Sequence, residues 1–302
     1  MGRRTKQSWK RNRAEWLTFL AFVSPNLVLF ALFTYWPIVY SAYLSFMDWN
    51  LLTARGAFVE LANYRVVFTD PQIRTVIGNT LIYACAVVCV AQALAFALAL
   101  LLNRNVRGQV FFRTLAFAPH VTTTAAAALV WVLLLDPDLG PSSVLYNALG
   151  IHGPHFLASS KLALWAIVSI GVWKEVGFAS IFFLAGLQTL PRDCYEAAEL
   201  ETDSGWKVFR HLTLPLMSPV VFFLSVSGFI AAIKAFDVVS VMTQGGPVYP
   251  ASSTYVYHLY RLAFQEFRAG DASAFAVVFF VITVAITGLQ FRLARKWVHY
   301  GD

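Results

Sequence analysis

An all-α, polytopic membrane protein with six transmembrane helices is the fold class this sequence predicts. Two observations carry that prediction. Hydrophobic residues make up 58% of the 302-residue chain and charged residues only 13%, about half the charged share of a soluble domain. Six long apolar runs recur along it, and each can cross about 30 Å of hydrocarbon as a helix. A transmembrane β-barrel would need segments of about ten residues with alternating polarity. These runs do not alternate.

The first run covers residues 16–44. It is too long for a cleaved signal peptide, contains Pro25 and Pro37, and has no small-residue cleavage site. Residues 50–74 follow, with a short surface helix expected around 63–68. The second run is 75–102. The third, 111–135, ends in the turn chemistry of Asp136-Pro137-Asp138-Leu139-Gly140-Pro141. The fourth is 161–187.

A polar stretch, 191–215, then interrupts the membrane pattern. Residues 192–201 are rich in the helix formers Glu, Ala and Leu. Ser204 or Asp203 is placed to cap a second short helix from Gly205 to about residue 212. Pro215 is expected to start the fifth run, 216–243, where its missing N–H is harmless. Gly245-Gly246-Pro247 ends that run. Residues 255–268 carry aromatic and aliphatic side chains at helical spacing and are expected at the outer interface, where Tyr is enriched. The sixth run is 272–291. One membrane domain, residues 1–302, accounts for the chain, with a basic cytoplasmic segment at 1–15.

Net charge is +7, but its distribution argues against a nucleic-acid partner. With the N-terminus inside, fifteen of the 23 Lys and Arg residues fall on cytoplasmic segments and six on outside loops. Lys174 and Lys234 lie within runs. The bias predicts that both termini and the 191–215 loop face the cytoplasm. Cys85 and Cys89 are one helical turn apart, which suits packing better than a disulfide, and Cys194 lies in the loop.

Ionisable residues inside membrane runs need an account. Lys174 and Glu175 are adjacent, so they point about 100° apart on a helix. Lys234 and Asp237 are three apart on one face, placed to pair as an ion pair, to line a path for a hydrophilic solute, or both. Gly228, Ala231, Ala232 and Ala235 form a small-residue face, suited either to close helix packing or to room for a solute.

The order of motifs resembles the carbohydrate-type ABC importer permeases, the branch that includes maltose and glycerol-phosphate permeases. The strongest match is Tyr195-Glu196-Ala197-Ala198 with Glu201, Gly205, Phe209 and Leu212-Thr213-Leu214-Pro215, which resembles the family's EAA coupling loop. Trp36-Pro37 with Ser45-Phe46, Asn63-Tyr64, Gly78-Asn79-Thr80, Arg113-Thr114, Asp136-Pro137, Ala185-Gly186-Leu187-Gln188 and Gly245-Gly246-Pro247 match in order around it. The resemblance implies a type I importer permease fold. It also implies that Glu196 contacts a separate ABC ATPase homodimer. Family members usually have Asp-Gly-Ala where this chain has Glu201-Thr202-Asp203. Either the turn is built differently, with Gly205 supplying freedom, or it needs no positive φ.

The resemblance further implies a second homologous permease subunit, an extracytoplasmic solute-binding protein and alternating access in the plasma membrane, among membrane lipids. Carried over on spacing, the solute pathway is Gly171, Glu175, Phe178, Gly228, Ala231, Ala232 and Ala235, with Lys174 and Lys234 adjoining. Aromatic and polar lining suits a sugar-like solute and a lysine suits a phosphate. The subfamily resemblance leans toward glycerol phosphate or a glycerophosphodiester, with a neutral di- or oligosaccharide as the alternative.

No cofactor, catalytic or metal site is expected in the chain itself. No Walker A motif occurs, so ATP and Mg would be held by the partner. The six histidines are scattered and no HExxH or GxSxG motif occurs, which leaves an intramembrane enzyme without its chemistry. An ion-coupled carrier acting alone would leave the loop unexplained.

Overall fold

The computed structural model describes residues 3–53, 55–104, 108–150 and 153–297. The helices and one hairpin follow in chain order: α1 (Arg3–Phe30), α2 (Trp36–Leu44), β1 (Met47–Asn50), β2 (Arg55–Phe58), α3 (Ala62–Thr69), α4 (Pro71–Leu102), α5 (Gln109–Val121), α6 (Thr124–Leu135) and α7 (Pro141–Ala148). Then come α8 (Ala163–Thr189), α9 (Arg192–Glu201), α10 (Gly205–Val208), α11 (Leu214–Leu216), α12 (Ser218–Ile233), α13 (Asp237–Met242), α14 (Tyr255–Tyr260) and α15 (Ala269–Trp297). Among the described residues four apolar segments are long enough to cross a membrane: Glu15–Leu44, Pro71–Leu102, Ala163–Thr189 and Ala269–Arg295. Two bent pairs complete the six, Gln109–Val121 with Thr124–Leu135 at 99° and Gly205–Leu216 with Ser218–Ile233 at 63°.

Two prolines are accommodated in the same way. Five-residue π turns, Ala31–Tyr35 and Phe209–Thr213, widen the helix shortly before Pro37 and Pro215. The Trp36 N–H reaches back to Ala31 O and the Leu214 N–H to Phe209 O. A proline ring clashes with the carbonyl four residues earlier and offers no N–H. A wider turn relieves that crowding and keeps the helix running.

The chain divides into two compact units, Met1–Val67 with Leu262–Val278, and Phe68–Arg261 with Phe279–Asp302. In the first, a short antiparallel hairpin appears where no strand was expected. Asn50 Oδ1 accepts from Leu52 N at 2.8 Å, forming the turn. The hairpin is held by Asn63 Nδ2, which donates to Ser45 O and Met47 O, both at 2.9 Å. The expected surface helix over 63–68 is therefore α3, anchored by a buried asparagine.

In the second unit α4 packs along α8. One cluster gathers Tyr83, Val87, Ile167, Ile170, Val239 and Tyr257. Another gathers Phe96, Ala99, Phe183, Leu187 and Met217. Small residues set the spacing. A Cβ on Gly177 would strike the backbone of Ala116 and lie 3.1 Å from Phe117 Cα, so only glycine lets α8 approach α5 this closely. Outer faces remain apolar and exposed, as at Leu94, Leu129, Val130 and Phe280. Lipid tails are as apolar as these side chains, so that exposure costs little in a bilayer.

Several expectations are corrected. The third run is broken at Thr122–Thr123 and the fifth at Lys234–Phe236. Lys234 therefore closes α12 while Asp237 opens α13, and no ion pair joins them among the described residues. Pro215 does not start the fifth span. It lies within the helical stretch before the bend at Met217, and Pro219 occupies the first turn of α12. In α14, Tyr255, Tyr257 and His258 are buried within the protein rather than forming an exposed aromatic face. Cys85 and Cys89 share a face, but that face is exposed.

Candidate functional site

A cavity of about 270 Å³ opens within the second unit, where both broken helices meet α4 and α8. The α8 face at 171, 174 and 175 and the α12 face at 228, 231 and 232 supply much of its wall, each at i, i+3, i+4 spacing. Lys234 and Ala235 come from the break that follows, and Asp237 from the start of α13. Thus eight of the nine residues placed on the solute pathway by spacing line one cavity. Phe178 does not line it. Its ring stacks on His120 at 4.5 Å between centroids, and His120 forms part of the wall.

The small residues have different jobs. A Cβ on Gly171 would meet Tyr83 Oη at 2.6 Å and Val87 Cγ2 at 2.7 Å, so Gly171 brings α8 against α4. Gly228 is roomier: an added Cβ would lie 3.5 Å from Val88 Cγ2 and 3.7 Å from Glu175 Oε1. The sequence left packing and solute space as alternatives for the face of Gly228, and the structure gives Gly228 space, while Gly171, carried over as a pathway residue, also packs α8 on α4.

The lysines also differ. Lys174 Nζ donates to Pro119 O at 3.2 Å and to Thr122 O. Helix α5 stops at Val121, so its last carbonyls have no partner further along the helix. A lysine there satisfies two of them and complements the negative end of the helix dipole. Lys234 stands exposed at the end of α12. Tyr83, His120, Thr124 and Phe236 also line the cavity and were not foreseen. His120 carried a legible signal, because an ionisable residue inside a membrane run is a site candidate by default. Tyr83 carried none, since tyrosines are common in such runs.

The 191–215 stretch forms two helices joined by Thr202–Ser204. Glu196, Ala197 and Glu201 are exposed on α9, with Ala198 half-buried. Thr202 is extended, φ −158°, ψ 135°, and its Oγ1 accepts from Ser204 N at 3.2 Å. The turn needs no positive φ, and Gly205 is not at one either. The stretch is tied back to the spans. Tyr195 Oη and Thr213 Oγ1 are 3.0 Å apart, bridging its two helices. Phe209 packs on Phe96 of α4 at 5.4 Å, and Phe96 packs on Phe183 of α8 at 4.8 Å. These contacts pack the stretch against α4 and α8 in the manner of a close-packed core.

Known proteins resemble this chain over most of its length. The family model for binding-protein-dependent transport system inner membrane components matches residues 91–299. The sn-glycerol-3-phosphate transport system permease protein UgpA of Brucella abortus is 33% identical over 279 residues, covering 92% of this chain and 94% of that protein. The UgpA protein of Yersinia pestis bv. Antiqua is 32% identical over 287 residues, covering 95% and 96%. A solved bacterial alginate ABC transporter, in complex with an alginate pentasaccharide-bound periplasmic protein, contains a chain that superimposes with a TM-score of 0.83 at 22% identity, over 97% of this chain and 99% of that one. At that identity the likeness is one of fold.

Proposed function

We propose that this chain, which belongs to the family of binding-protein-dependent transport system inner membrane components, imports sn-glycerol 3-phosphate or a closely related glycerophosphodiester. It forms half of the pathway in an ATP-driven ABC importer. A second homologous permease supplies the other half, a solute-binding protein delivers the solute outside, and an ABC ATPase homodimer binds ATP and Mg inside. Both termini and the α9–α10 loop face the cytoplasm.

One observation carries the solute assignment. Relatives bearing the glycerol-3-phosphate name align over more than nine tenths of this chain at about a third identity, and the cavity at the level of the broken helices holds cationic side chains. A phosphate favours such a site through charge-assisted hydrogen bonds.

The mechanism is alternating access. The ATPase dimer grips the exposed acidic face of α9 around Glu196, and its closure draws the two permease loops together. The aromatic relay from Phe209 through Phe96 to Phe183 passes that displacement to α4 and α8, which carry the cavity. Only a difference in loop affinity between ATPase states is needed.

Uptake of radiolabelled solutes by cells lacking this chain tests the assignment. Loss of sn-glycerol 3-phosphate or glycerophosphodiester uptake, with disaccharide uptake intact, is expected. Loss of maltose or trehalose uptake alone overturns the solute. Uptake that persists without any ATPase overturns the importer mechanism in favour of an ion-coupled carrier.

A further inference from the structure

Two lysines reach the cavity, and the structure gives them unlike surroundings. Lys174 is engaged with protein, since two of its three donors go to Pro119 O and Thr122 O. Lys234 is not. It ends α12, where its backbone N–H donates to Ala231 O at 3.3 Å. Among the described residues no hydrogen bond or ion pair takes its ammonium, and Asp237 is separated from it by the helix break. An unpaired cation within a membrane span is costly and marks function by default. The end of α12 lowers that cost, because a helix C-terminus favours positive charge.

The wall near Lys234 has space. Ala231 and Ala235 are small, and Gly228 leaves room before Glu175. A carboxylate accepts hydrogen bonds from hydroxyls and repels anions. The cavity therefore offers, among the described residues, a cation without a protein partner at Lys234 and carboxylate acceptors at Glu175 and Asp237.

We infer that Lys234 receives the anionic group of the solute, while Glu175 accepts from its hydroxyls and Lys174 serves as a positioning residue that holds the bend between α5 and α6. The ligand class is a small polyol bearing a phosphomonoester or phosphodiester. This assignment rests on the solute proposed above and adds to it which side chain reads the charge.

The test uses the assembled transporter in proteoliposomes with saturating loaded binding protein, and radiolabelled sn-glycerol 3-phosphate and a neutral disaccharide as probes. Lys234→Gln is expected to lower phosphomonoester transport about tenfold or more, the factor that 1.4 kcal/mol represents, with an unchanged unfolding midpoint. Lys234→Arg keeps the charge and most of the transport. Lys174→Met lowers transport together with the unfolding midpoint, and Lys174→Arg recovers part of both. Ala231→Asp, which leaves Lys234 in place but offers it a partner, gives the same loss as Lys234→Gln and serves if that variant does not assemble. Undiminished phosphomonoester transport in both Lys234→Gln and Ala231→Asp overturns the assignment alone. So does a transport loss in Lys174→Met at an unchanged unfolding midpoint. Wild-type vesicles that carry only the neutral sugar overturn the proposed solute, and this assignment with it.

Discussion

Lys174 Nζ donates to the backbone oxygen of Pro119 at 3.2 Å, across 55 residues of sequence. A half-buried lysine thus closes the end of a helix that its own segment leaves open. Lys174→Met removes both of its bonds and strands the carbonyls of Pro119 and Thr122. Hydrogen bonds to charged groups contribute about 1.5–3 kcal/mol. A loss of roughly 2 kcal/mol is expected in reversible unfolding in mixed micelles, with partial recovery in Lys174→Arg. Wild-type stability in the methionine variant would refute the clamp.

Glycines in the spans separate into two kinds. Gly177→Ala forces its Cβ onto the Ala116 backbone, which cannot swing aside as a side chain can. Overpacking of this sort costs about 1–3 kcal/mol, and loss of folded protein on gel filtration is expected. Gly78→Ala meets nothing within 4 Å and is expected to stabilise α4 by up to about 1 kcal/mol through helix propensity.

Asn79 anchors the segment between α13 and α14. Its Nδ2 lies 2.9, 3.1 and 3.2 Å from the carbonyls of Pro250, Ala251 and Ser253. Thr254 Oγ1 then donates to Ala235 O at 2.7 Å, at the edge of the cavity. Asn79→Ala leaves these acceptors without their donor, at a cost of about 1–3 kcal/mol for a buried group. Asn79→Asp is expected to be worse, because a carboxylate only accepts and would face carbonyl oxygens. Hydrogen exchange over residues 250–255 reads the loosening, and unchanged exchange in both variants would count against the anchor.

Asp136 follows α6 outside the span, and its Oδ1 accepts from Leu139 N at 2.8 Å and Asp138 N at 2.9 Å. These two bonds hold its carboxyl below the ordinary Asp range. A depressed folded value means the contribution is present above the unfolded pKa of about 3.9 and fades as pH falls through the folded value. Amide protection at Asp138 and Leu139 is expected to persist at neutral pH and to disappear under strong acid. Asp136→Ala should show no such acid transition.

Glu196 stands exposed on α9. If the proposed ATPase grips this face, Glu196→Lys reverses the charge it meets at an exposed position. Loss of co-purified ATPase and of uptake is expected, with unchanged helical content by circular dichroism. Thr202→Gly tests the turn. Since Thr202 is extended, glycine relieves no strain there, and coupling is expected to weaken because backbone entropy rises and the Oγ1 bond is lost.

Local signals made the six apolar runs and the paired helices of the 191–215 stretch legible. Hydropathy depends on composition over about twenty residues, and helix formers act within a turn or two. Helical spacing also placed Gly228, Ala231 and Ala232 on one face, while Gly171 and Glu175 were reached only through the family resemblance, with Lys174 beside them. The hairpin at Met47–Phe58 was not legible, because its register depends on Asn63 and on residues 267 and 268, far along the chain.

By itself, then, the sequence determined which segments enter hydrocarbon and which faces could share a cavity, because those properties follow from neighbouring residues. The tertiary structure alone decided where the helices break and what the two lysines do. Pro119, His120 and Thr122–Thr124 mark the first break and Lys234 with Asp237 the second, but hydropathy averaged over about twenty residues passes over them. The carbonyls freed at the first break are answered by Lys174, from a helix more than fifty residues away, whereas Lys234, past the end of α12, lines the cavity with no protein partner among the described residues.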